Sequence, residues 1–170
     1  NELKTNLNFL NILKNRKNET LLQNSIIFDN NLLLNYLLDK NLSSTILDNQ
    51  ENEYGLTALH NTLILKKNDI INKLLNKGAD INLQDYLGNS PLHYSIIETN
   101  IDIILDFIDN PKIKFNTINL NGNTPLHILL ESDIVDLNIF TDDSIQSLNY
   151  KKILLKLLKK IKLNYQNNNG

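Results

Sequence analysis

Apolar residues recur along this chain at helical spacing. Leu59, Leu63, Ile70, Ile71, Leu74 and Leu75 fall on one side of two successive short helices. Leu92, Ile96, Ile103, Ile104 and Phe107 repeat the arrangement further on. Residues 2–14 read as another helix, with Leu3, Leu7, Leu10 and Ile12-Leu13 on its apolar side. Between these rows lie polar stretches with isolated glycines, so the order is turn, helix, short loop, helix and turn again. One such pair cannot bury its apolar face alone; stacked neighbours can. The expectation is therefore all-α and repetitive.

The polar positions give the period. Thr57-Ala58-Leu59-His60, Ser90-Pro91-Leu92-His93 and Thr124-Pro125-Leu126-His127 are copies of one tetrapeptide, at steps of 33 and 34 residues. A degenerate copy, Thr20-Leu21-Leu22-Gln23, lies 37 residues upstream of the first. Each hydroxyl residue comes two places after a turn former: Asn18, Gly55, Gly88 or Gly122. Glycine there permits positive φ in a tight turn. The Thr or Ser hydroxyl can accept from the unpaired N–H groups of a helix start. Pro91 and Pro125 enter the first helical turn, where a missing N–H costs nothing. Gly78, with Asn41 as its counterpart one copy earlier, is placed to end a second helix in the left-handed region.

On these residues the chain resembles the ankyrin repeat family, whose 33-residue period and T-P-L-H signature it shares. Gly78-Ala79-Asp80-Ile81-Asn82 and the apolar pairs Ile70-Ile71 and Leu74-Leu75 also match family landmarks. The resemblance covers nearly the whole chain and is strongest over 52–126. It implies an all-α ankyrin-repeat solenoid of stacked helix-turn-helix units with short β-hairpin-like loops. The single domain 1–170 then divides into a capping helix or degenerate repeat (1–14), a degenerate first repeat (15–51), and repeats at 52–84, 85–118 and 119–166.

The copies depart from the period at three places. The first is four residues too long, and the polar stretch Asn41–Glu51 is read as the loop that holds the excess. The fourth has a first helix from Pro125 to about Ser132 and a second at about Leu148–Ile161. Its insertion 133–147 carries Asp133, Asp136, Asp142 and Asp143, and reads equally as a functional loop or a disordered one. Finally, Leu163-Asn164-Tyr165-Gln166 and Gly170 align with Ile81-Asn82-Leu83-Gln84 and Gly88. Residues 167–170 are thus expected to start a truncated fifth repeat. The chain has no Met, and is expected to begin and end inside a longer protein.

Composition narrows the function classes. Of 170 residues 41% are hydrophobic and 21% charged, with a net charge of −2; no basic footprint points to nucleic acid. There is no Cys, hence no disulfide framework, thiolate metal site or Cys nucleophile. No apolar run reaches the roughly 18 residues of a membrane span. An intracellular home, cytoplasmic or nuclear, fits. The Asn, Ile, Leu and Lys bias is what an AT-rich genome produces.

The candidate chemistry is thin. All three His lie in the tetrapeptide, and the resemblance assigns them to hydrogen bonding at the hairpin–helix junction. Successive copies one layer apart, about 10 Å, cannot share a metal ion at about 2 Å. No His is left for a Ser-His-Asp arrangement. Asp142-Asp143 lies in a polar loop, and the glycines are used by turns and caps. No catalytic residue, cofactor, metal or small-molecule substrate is expected. The stretch Lys151–Lys162 is basic and amphipathic; membrane-surface and calmodulin-target readings exist, but its phase fits the second helix of repeat four.

The resemblance implies that another protein docks on a concave surface made by hairpin tips and first helices. By register the exposed positions are Glu53, Tyr54, Leu56, Ile64 and Leu65 in copy two; Tyr86, Leu87, Asn89, Ile97 and Glu98 in copy three; and Leu120, Asn121, Asn123, Glu131 and Ser132 in copy four. A solvated groove should be polar, yet Tyr54, Leu56, Ile64, Leu65, Tyr86, Leu87, Ile97 and Leu120 are not, and exposed apolar patches mark interaction sites. For Ile64 and Ile97, packing on a neighbouring repeat is the competing reading. The expected role is a non-catalytic protein–protein interaction scaffold. The ankyrin portion of a transcription regulator (inhibitor-κB-like or fungal cell-cycle-factor-like) and a viral or bacterial host-interaction effector are the alternatives.

Overall fold

A Thr or Ser opens each first helix and recruits a side chain three residues on. This pairing sets the fold of the computed structural model, which describes residues 13–131 and 145–160. Thr20 N–H donates to Gln23 Oε1 at 2.9 Å, while Gln23 N–H donates to Thr20 Oγ1 at 3.2 Å. Two donors of the helix start are thereby satisfied reciprocally. Thr57, Ser90 and Thr124 do the same with histidine: their N–H groups donate to Nδ1 of His60, His93 and His127 at 3.1, 3.1 and 3.2 Å.

The chain forms two compact units, Asn1–Tyr86 and Leu87–Gly170. Unit one contains α1 (Leu21–Ile27), α2 (Asn31–Leu38), α3 (Ser44–Leu47), α4 (Ala58–Ile64) and α5 (Asn68–Asn76). The first helix of one repeat, α1, packs on its partner α2 and on the next first helix, α4, which in turn packs on α5. Leu22, Ile26, Leu34, Leu59, Leu63, Ile71 and Leu74 are fully buried there. Unit two contains α6 (Pro91–Ile97), α7 (Ile101–Asp109), α8 (Pro125–Glu131) and α9 (Ile145–Lys160). In it α6 packs on α7 and α8, and α9 packs on both α7 and α8. Its core holds Leu92, Ile96, Ile104, Phe107, Leu129, Ile153 and Leu157. Among the described residues there is no β-strand; the β pairing is an isolated bridge between Lys14 and Thr20.

The turns follow the turn formers. Asn18, Gly55, Gly88 and Gly122 have φ of +63°, +73°, +79° and +79°, so Asn18 does in the first repeat what glycine does later. A second left-handed residue joins the two helices in each of the first three pairs: Asp29, Lys66 and Thr99, at φ +55°, +55° and +56°. None is glycine, and the β-branched Thr99 is the most strained of them. Lys67 Nζ caps the previous repeat, donating to Ile26 O at 2.6 Å and Asp29 Oδ1 at 2.7 Å. This places a cation on the carbonyl end of α1.

Several local expectations need correction. The stretch Asn41–Glu51 is not all loop: α3 lies in it and buries Ile46 and Leu47. Gly78 is left-handed at φ +99°, but Asn41 is not among the positive-φ residues. The end of α2 is instead met by Lys77 Nζ, 2.9 Å from Lys40 O. The second helix of repeat four starts at Ile145, three residues before the expected Leu148. Leu13 and Lys14 are not helical. The remainder of the helix expected over 2–14, most of the insertion 133–147 and the fifth-repeat start at 167–170 lie outside the described residues.

Candidate partner-binding surface

Two of the hairpin tips are built around one buried acceptor each. In unit one the Glu51 carboxylate accepts from Glu53 N (2.7 Å), Tyr54 N (2.6 Å) and Leu56 N (3.2 Å). In unit two the shorter Asn119 side chain accepts from Asn121 N (3.0 Å) and Asn123 N (2.9 Å). Glu51 lies four positions before its turn glycine and Asn119 lies three before. The longer side chain thus spans the longer tip.

Successive tips are tied by their backbones. Asn52 N donates to Lys17 O at 2.9 Å, and Tyr86 N donates to Tyr54 O at 2.8 Å. In unit two Leu120 N donates to Leu87 O at 2.8 Å. The tips must approach closely for this. A Cβ at Gly55 would strike the Tyr86 ring, and one at Gly88 would come within 2.8 Å of Asn119 Cα. These glycines therefore serve the stacking of tips as well as their own positive φ.

The side chains that leave this ladder are aromatic in unit one and aliphatic in unit two. Tyr54 and Tyr86 are 51% and 52% exposed; Leu87 and Leu120 are 52% and 70% exposed. Beside Tyr54, Lys17 Nζ lies 3.1 Å from Glu53 Oε2. The hydrogen bond from Lys17 holds the Glu53 carboxyl below its usual range, and the hydrogen bond to Glu53 pushes the Tyr54 phenol up.

The expected surface positions divide. Leu65 and Ile97 are exposed at the ends of their first helices, whereas Leu56, Ile64 and Glu98 are half-buried. Glu53, Asn121 and Glu131 are exposed; Ser132 lies outside the described residues. The exposure expected of Asn89 and Asn123 is not found, as both are buried. Asn89 Oδ1 accepts from Asn119 Nδ2 at 2.9 Å, and Asn123 Nδ2 donates to Glu131 Oε2 at 2.9 Å. These amides organise the tip because a buried polar side chain is stable only when bonded. One position escaped the sequence reading. Phe28 follows Thr20 by the interval that separates Leu65 from Thr57, and it is 75% exposed. Extending the register into the degenerate first copy finds it.

The histidines act structurally. A backbone N–H can only donate, so Nδ1 is the acceptor and a neutral ring carries its proton on Nε2. In His93 that Nε2 lies 3.1 Å from Asn123 O in the following repeat. Gln23 reproduces both ends: Oε1 accepts at the junction, and Nε2 reaches Leu56 O at 2.8 Å and Asn49 O at 3.2 Å. Among the described residues no group of three or more His, Cys, Asp or Glu is placed to hold a metal ion. Nor, among them, is any helix long and apolar enough to cross a membrane.

The family model for ankyrin repeats (3 copies) matches residues 64–139. No curated protein matches the chain. Ankyrin repeats generally mediate protein interactions and are typically non-catalytic. Helix pairs, left-handed hairpin turns, the Thr/Ser–His junctions and this match identify residues 64–139 as ankyrin repeats.

Proposed function

We propose that the chain is a non-catalytic protein-interaction module that grips its partner with hairpin tips and first-helix ends. In unit one the contact residues are Tyr54, Leu56, Ile64, Leu65 and Tyr86, with Phe28 added. In unit two they are Leu87, Ile97, Glu98 and Leu120. Asn89 and Asn123 hold the tips that present them.

The observation that carries this reading is the pair Tyr54 and Tyr86. Both rings are half exposed, and their backbones are bonded to one another. The Tyr86 ring also lies against Gly55. Large side chains fixed before binding lose little entropy when a partner arrives, and Tyr is favoured at binding hot spots. Solvated turns have no use for such rings. The transcription-regulator and host-interaction readings differ in which partner is bound.

An affinity capture from the protein's own cellular environment tests the proposal, with the whole chain and a Y54S/Y86S/L87S variant as baits. Circular dichroism first establishes that the variant keeps its helix content. A protein held by the whole chain and lost by the variant supports the surface. Equal retention by both baits rejects it.

A further inference from the structure

The helix that closes repeat four has an outward face the hairpin-tip surface does not use. α9 spans 16 residues where α5 and α7 span 9 each, which is about 24 Å of helix. Its inward side is accounted for: Tyr150, Ile153 and Leu157 are buried, and the helix packs on α7 and α8. Lys156 Nζ also pairs with Asp109 Oδ2 at 2.6 Å.

The opposite side is different. Positions 148, 152, 155 and 159 advance by four, three and four residues, which aligns Leu148, Lys152, Leu155 and Lys159 in one stripe. Leu148 and Leu155 are 63% and 58% exposed, and both lysines are exposed. The second helices of the two middle repeats show nothing comparable. Their outward residues are Asn68, Asp69, Asn72, Lys73 and Asn76 on α5, and Asp102, Asp106 and Asp109 on α7. Among the described residues, burial gives the exposed leucines no role.

Four-three spacing is the interval at which one helix lies along another. A stripe that alternates leucine with lysine fits a helix offering an apolar residue to each leucine and a carboxylate to each lysine. We propose that this stripe docks an acidic amphipathic helix of a partner protein. Leu or Ile of that helix would lie on Leu148 and Leu155, with Glu or Asp facing Lys152 and Lys159. The leucines supply attachment, and the lysines select an acidic helix over a basic one. The stripe shares no residue with the hairpin tips, so its test stands apart from theirs.

The test titrates the full chain with a labelled synthetic helix carrying Leu and Glu in the same four-three-four order, and with a scrambled peptide of equal composition. Saturable binding of the ordered peptide is expected, weakened by added salt and by about tenfold in L155S. Leu155 is on the surface, so an unchanged denaturation midpoint shows that the variant is folded. The charge-reversed K152E/K159E should lose the Glu peptide and gain its Lys counterpart. Four outcomes overturn the proposal: equal binding of the scrambled peptide; an affinity unaffected by L155S; binding to phosphatidylserine vesicles but not to the peptide; and a concentration-dependent dimer that L155S abolishes. The last two assign the stripe to a membrane and to a second copy.

Discussion

The first and third repeats build the same junction from different residues. Repeat one uses Asn18, Thr20 and Gln23; repeat three uses Gly88, Ser90 and His93. Both place a left-handed residue two positions before the cap, both aim an acceptor at the cap N–H, and both send a nitrogen to a backbone oxygen of the following repeat. What the fold needs at this point is one acceptor and one donor on a planar side chain, about one turn into a helix. An imidazole and a carboxamide both supply that.

If the two junctions are equivalent, their cores should respond alike. Leu22 and Leu92 are both fully buried beside the junction. Truncating either to Ala should cost about 2–5 kcal/mol, read as matching shifts in urea unfolding. A loss confined to L92A would make repeat one an appendage. Next in size are the junction residues themselves. Q23A and H93A should each lose about 2 kcal/mol, since each strands a buried backbone partner. Q23H should recover most of that loss, and a Q23H variant no better than Q23A would break the equivalence.

Smaller effects separate the repeats. Thr99 holds a left-handed φ with a β-branched side chain, whereas its counterparts are Asp29 and Lys66. T99N should therefore stabilise by about 0.5–1 kcal/mol in thermal unfolding, with less gain from K66N. The aspartates should respond to pH with opposite signs. Lys156, through its hydrogen bond, holds the Asp109 carboxyl below its ordinary value. Its contribution is present at neutral pH and is lost as the pH falls through that lowered value. Burial pushes the Asp48 carboxyl up, and the neighbouring Asp80 charge acts in the same direction. Asp48 therefore favours the folded state more as the pH falls, and its charge opposes folding at neutral pH. D48N keeps the oxygen that accepts from Asp80 N, 2.8 Å away in the wild type. It should raise stability at pH 7 and lose that advantage on acidification, while D109N should do the reverse.

The parts of the fold legible in the sequence are those where backbone geometry restricts residue choice. Left-handed turns call for Gly or Asn, helix starts for Thr or Ser, and Asn18 could be read as well as Gly88. Where two apolar residues suffice, periodicity gives no signal. Ile46 and Leu47 anchor α3 inside a run of Ser, Thr, Asn and Asp, and nothing in that run has a helical period. Asn89 and Asn123 misled for another reason. An amide reads as solvent-facing until its partners are known, and those partners, Asn119 and Glu131, come from other turns of the chain. Phe28 is hidden because the first copy lacks the Leu-His pair that fixes the register elsewhere. The stretch Lys151–Lys162 reads as amphipathic, but a row of Leu and Lys does not say which leucines a neighbour will cover.

The central claim is that partners meet the hairpin tips and first helices. Site-specific photocrosslinking tests it most directly. A photoreactive phenylalanine analogue would replace Tyr54, Tyr86 or, as a reference on the outward side of α5, Asn72, with adducts identified by mass spectrometry in the protein's own cellular environment. The account predicts one partner crosslinked from positions 54 and 86 and absent at 72. A partner crosslinked from 72 but from neither tip would place binding on the second helices and contradict it.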